Sequence, residues 1–207
     1  MTGFFFPSAE LTNGHDLYRR HESRADAYPL ARSRVEAAIA ANDVQALTDA
    51  VWPFLQVWNK TVYRFRPGLR KSHPLELHDL LLWFWHYRGW IDEFRRTTIE
   101  AMPKAERGRV VETFDEFDAG LGPIGAAKVL HVLAPDTFPL WDRSICRGYG
   151  VSLARAGENG TRYWHFLRQI TRRQCFDLRR QGYIGSGLLK RIDERNYVTF
   201  TLEECCR

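Results

Sequence analysis

The residues best placed to do chemistry lie between positions 120 and 147. Asp142 ends the run Phe138-Pro139-Leu140-Trp141-Asp142, and Arg143-Ser144-Ile145-Cys146-Arg147, predicted to start a helix, follows at once. A carboxylate at a helix start is favoured by the helix dipole and stays ionised, so it can stabilise positive charge developing nearby and orient a water. The same placement also serves a plain N-cap. Upstream stands Gly120-Leu121-Gly122-Pro123-Ile124-Gly125. Without β-carbons at Gly120, Gly122 and Gly125, a phosphate can approach backbone N–H groups that open a following helix. Contacts of that kind grip nucleic acid without reading its sequence. Lys128, four residues after Ile124 and on the same helical face, offers a phosphate contact or an amine.

The elements that must carry these residues follow from apolar periodicity. Val110, Val111, Phe114, Phe117 and Leu121 recur at three- and four-residue steps after Pro103, which predicts a helix ending at Gly120 as a left-handed cap. Pro123 suits the first turn of a second helix whose inner face is Ala126, Val129, Leu130 and Leu133. Two helices are therefore expected to meet at a glycine hairpin.

Further helices are predicted over 30–41 and 43–58, the second capped by Asp43 and kinked or divided at Pro53. One from Pro74 to Tyr87, apolar all round in its second half, is predicted to be the central buried helix, and another runs over 90–101. Thr161 is expected to cap a long helix to Arg180, with Tyr163, Phe166, Leu167, Ile170 and Phe176 inward. A short helix over 188–194 should precede an extended Tyr197–Thr201, while residues 1–30 read as an irregular arm. The expected fold class is all-α: a helical bundle of about nine helices with little sheet, forming one domain or two closely packed lobes.

Charge is uneven along the chain. Residues 143–207 hold 13 Lys/Arg against 6 Asp/Glu, whereas residues 1–142 hold 17 against 19. Arg143, Arg147, Arg168, Arg172 and Arg173 thus become candidates for a phosphate-facing surface, although a solvated basic helix would look the same. The stretch from Trp58 to His73 interleaves aromatic and basic side chains. Trp58, Asn59 and Tyr63 are candidates for holding a base, by stacking or edge contacts, or else plug the core.

On the hairpin and Asp142 the chain resembles the helix-hairpin-helix DNA glycosylases. Without a gap, that family's G-h-G hairpin falls on Gly120-Leu121-Gly122, its small helix residue on Ala126 and its catalytic aspartate on Asp142. The resemblance covers roughly residues 110 to 150. It implies a double-stranded DNA partner, an extruded base and Asp142 as the group that assists its hydrolytic release. The position of the Schiff-base lysine in bifunctional members, eighteen residues before the aspartate, is Ile124 here. A monofunctional N-glycosylase is therefore expected. The alternatives are a non-enzymatic DNA-binding protein that keeps the hairpin, or a glycosylase with lyase activity through Lys128. Many members carry an iron–sulfur cluster on four closely spaced cysteines. Cys146, Cys175, Cys205 and Cys206 lack that spacing, so no cluster, metal or other cofactor is expected.

The wider composition agrees with this. At 207 residues and 44% apolar content the chain can bury a sizeable core. No apolar run reaches membrane-spanning length, and Met1–Pro7 lacks the features of a signal peptide, so a cytoplasmic monomer without membrane association is expected.

Overall fold

A computed structural model describes residues 5–58, 74–87 and 89–202. The described residues form nine helices and no strand. They are α1 (Ser8–His21), α2 (Ala27–Ala40), α3 (Val44–Trp58), α4 (Pro74–Leu82, widening into a π-turn Trp83–Tyr87), α5 (Trp90–Arg95), α6 (Arg107–Leu133) and α7 (Arg143–Gly148). Two more complete the fold: α8 (Gly160–His165, Phe166–Thr171 in π geometry, Arg172–Arg180) and α9 (Leu188–Tyr197, then a π-turn Val198–Leu202). None of them is long and apolar enough to cross a membrane.

Helix α6 organises the rest, because α2, α3, α4 and α8 all pack against it. From Gly125 to Leu133 every residue except Lys128 is buried. This stretch takes the central place that the sequence assigned to α4. That helix buries Leu77, Leu81 and Phe84 but leaves Trp83 and Trp85 half-exposed and Leu75 65% exposed. Apolarity on every side of α4 therefore did not mean burial on every side. The bend in α6 falls at Gly122 (φ 76°, ψ 163°), a conformation open to glycine alone, and not at Gly120. Gly120 is helical and buried; a β-carbon there would stand 2.7 Å from Leu80 Cδ1, so this glycine serves packing.

Other expectations change for similar reasons. The supposed arm contains α1, which packs on α9 so closely that a β-carbon on Gly14 would lie 2.8 Å from Arg195 Cα. A glycine that weakens helix propensity is required here for contact. Asp43 does cap α3, accepting from Ala46 N–H at 2.9 Å, and the helix continues undivided through Pro53. Helix α5 stops at Arg95, short of the expected Ala101, because the chain turns to let Ile99 N–H reach Asp136 O at 2.7 Å. Phe176 points outward, 42% exposed, because it lies beneath Arg172 and not in the core. The expected strand over 197–201 instead continues α9.

Candidate functional site

The loop between α6 and α7 carries Asp142 and is fastened at several points. His131, wholly buried on α6, shares a hydrogen bond with Phe138 O through Nδ1 (2.7 Å) and with Tyr28 Oη through Nε2 (3.0 Å). Since the carbonyl only accepts, Nδ1 carries the proton and Tyr28 donates to Nε2. Burial pushes the imidazole down to about 4, which keeps it neutral. Thr137 Oγ1 donates to Phe94 O (2.7 Å) and Tyr163 Oη to Pro139 O (2.7 Å). Trp141 Nε1 donates to Pro123 O at 3.0 Å, joining the residue before Asp142 to the residue after the bend.

Asp142 is extended (φ −137°, ψ −175°) and half-buried, and its Oδ1 accepts from Ile145 N–H at 2.8 Å, so it is the N-cap of α7. Burial raises its pKa. The Ile145 N–H and the positive charge of Lys128 oppose that rise, while Asp193 adds to it. Lys128 Nζ donates to Trp58 O (3.3 Å) and sits 5.5 Å from the centre of the Trp58 ring. Burial brings this lysine down to about 8, against the pull of Asp142 and Asp193. A lysine so tuned has an appreciable neutral amine fraction near pH 7.

Around this pair α1, α3 and α9 gather an aromatic and charged cluster. Tyr18 and Trp58 lie parallel, centroids 6.4 Å apart, and Tyr197 meets both edge-on. Lys190 Nζ reaches Asp193 at 2.7 Å and lies 4.6 Å above Tyr18. Arg24 Cζ covers Trp58 at 4.4 Å while its guanidinium binds Glu22 at 2.6 Å. Burial alone would push Glu22 up, but its bonds from Arg24 and Tyr197 hold it at about 2.

The remaining predicted residues divide into two groups. Gly122, Pro123 and Ile124 are half-exposed at the bend, whereas Gly120 and Gly125 are buried. Pro123, Arg143 and Arg147 line one open groove with Gly150 to Ala154, the two arginines exposed along it. Arg168 and Arg172 are half-buried and directed at protein carbonyls: Arg168 Nη1 to Met102 O (2.6 Å), and Arg172 to Ile99 O (3.1 Å) and Glu100 O (2.6 Å). They close the end of the α5–α6 connection and do not stand open to a phosphate as expected; Arg173, beside them, is exposed. Trp58 joins the cluster, while Asn59 and Tyr63 lie outside the described residues, as do Cys205 and Cys206. Cys146 and Cys175 are buried thiols. Among the described residues no group of side chains is arranged to hold a metal.

Sequence reading missed Tyr18, Lys190, Asp193 and Tyr197. The last three fall on one face of α9 by helical spacing, which is a legible signal once that helix is extended to residue 197. Tyr18 had no such signal while its segment was read as irregular. Comparison of the chain with protein-family models, curated proteins and solved structures finds no match.

Proposed function

We propose that this protein is a monomeric DNA N-glycosylase of the helix-hairpin-helix kind, acting on a base turned out of the duplex. The observation that carries the reading is the bond between Trp141 Nε1 and Pro123 O, which joins the proposed phosphate grip to the segment ending in Asp142. In this reading a backbone phosphate meets the α6 bend at Gly122, with Arg143 and Arg147 beside it, and the extruded nucleotide faces Asp142. As the bond from sugar to base lengthens, positive charge grows on the sugar. The Asp142 carboxylate stabilises that charge and orients the attacking water, as carboxylates do in glycoside hydrolysis. Burial raises the Asp142 pKa, and the Ile145 N–H and the Lys128 charge oppose that rise in favour of the ionised form that this role needs.

The lowered pKa of Lys128 beside Asp142 favours a second reading, in which its neutral amine attacks the sugar C1′ as the base leaves, and the imine so formed eliminates the 3′ phosphate to break the strand. Ile124, the family position for such a lysine, is half-exposed and packs against the core as an aliphatic group. Single-turnover assays on duplexes with single altered bases test both readings. Base release abolished by Asp142→Asn is expected, and release at the wild-type rate in that variant would refute the proposal. Strand breaks that need alkali would identify hydrolysis. Borohydride trapping that disappears in Lys128→Ala would identify the lyase.

A further inference from the structure

Two buried hydrogen-bond donors in the aromatic cluster have no partner among the described residues: Tyr18 Oη, on a residue 1% exposed, and Trp58 Nε1. Unpartnered buried donors are costly and uncommon, and two on one stacked pair of rings point to an absent acceptor. The charged groups around them are already matched. Glu22 is bound by Arg24 (2.6 Å), Asp193 by Lys190 (2.7 Å) and Glu194 by His15 (2.7 Å). The aromatic faces are matched too, since Trp58 carries Arg24 and Lys128, and Tyr18 carries Lys190. Among the described residues the cluster still lacks an acceptor atom, whereas cations already sit over Trp58 and Tyr18.

We infer that Tyr18, Trp58, Lys128 and Lys190 form the base pocket, and that it selects a neutral base bearing an exocyclic carbonyl oxygen over cationic alkylated bases or bases without a carbonyl. The inference rests on the glycosylase reading. The carbonyl oxygen accepts from the Tyr18 hydroxyl and the Trp58 indole N–H, groups that no atom of the described residues satisfies. A cationic base would meet Arg24, Lys128 and Lys190 across the same rings and would leave both donors unpartnered. The roles divide cleanly, with Asp142 facing the sugar and the donor cluster facing the base.

The test is single-turnover release from duplexes holding uracil, hypoxanthine or 8-oxoguanine, set against ethenoadenine and 3-methyladenine. Release of at least one carbonyl base roughly tenfold faster than either comparator is expected, the size that the net value of about one hydrogen bond corresponds to. Faster release of a comparator overturns the pocket assignment and leaves the glycosylase reading standing. Tyr18→Phe should slow release about tenfold while Tm stays level or rises, because an unsatisfied hydroxyl is removed. Thr113→Val, which removes another unpartnered buried hydroxyl on α6, should leave the rate unchanged. A Tyr18→Phe protein that gains stability and keeps its rate overturns the proposal, and Trp58→Phe gives the same reading should Tyr18→Phe fail to fold. If no duplex is processed, the glycosylase reading falls and calorimetric titration with free uracil and hypoxanthine decides the pocket. Binding lost in Tyr18→Phe supports it, and no binding overturns it.

Discussion

Helices α7 and α8 look alike in sequence and differ in structure. Each bears two arginines four residues apart, Arg143 and Arg147 on α7, Arg168 and Arg172 on α8. On α7 both arginines are exposed along the groove beside Pro123. On α8 both are drawn to the carbonyls of Ile99, Glu100 and Met102, where the α5–α6 connection leaves acceptors without helical donors. The helix starts differ as well. Asp142 caps α7 from its own chain position, whereas α8 begins at Gly160 and not at a Thr161 cap, its Gly160 N–H held by Asp115 Oδ1 at 2.6 Å. Asp118 holds Gly157 N–H and the Asn159 side chain, both at 2.8 Å, in the turn just before. Spacing thus sets which residues share a helix face, and the neighbouring backbone decides whether their charge is spent inside the protein.

The largest effect should come from Asp142→Asn. Base release should fall by a factor on the order of 100 or more, while the helix cap survives because asparagine caps as well as aspartate. A large loss of thermal stability in that variant would mean that α7 depends on the carboxylate structurally, as α8 depends on Asp115 and Asp118. Arg172→Ala should be next. Losing a charged donor to two carbonyls should cost about 2 kcal/mol, roughly 4–8 °C in Tm, with duplex affinity changed less than about twofold. Weakened DNA binding at full stability would place Arg172 on the DNA after all.

Arg143→Ala inverts this pattern. Its stability should hold within about 0.5 kcal/mol, and the salt dependence of duplex binding should flatten by about one unit. An unchanged slope would remove α7 from the interface. The smallest effect concerns pH. In the proposed reading base release needs ionised Asp142, whose pKa burial raises, so activity should decline on the acid side at a higher pH than an ordinary carboxylate would give. Lys128 favours the ionised form, and Lys128→Met should therefore move that acid limb further up in a pH–rate profile. A limb that stays or moves down would show that the two charges do not interact.

Much of this was legible beforehand. Period and capping residues marked α2, α3, α4 and α7, and Asp142 was identified by its spacing from Gly122 and by the helix that follows. Two kinds of information were not. The close approach of α1 to α9 depends on Gly14, a residue that locally argues against a helix. The fate of Arg168 and Arg172 depends on carbonyls about seventy residues away in sequence, at positions that only the folded chain brings together. The donor cluster shares this origin, since Tyr18, Trp58, Lys128 and Lys190 come from four different helices.

The two caps also set an order of assembly. Asp142 reaches Ile145 across 3 residues, but Asp115 reaches Gly160 across 45 and Asp118 reaches Gly157 across 39. Closing a long loop costs more chain entropy than closing a short one, and contacts of high sequence separation form late. Helix α7 can therefore close its first turn as soon as its own residues are in place, whereas α8 must wait for α6 to dock. In folding time the segment bearing Asp142 should therefore come before the wall of the groove beyond Gly150.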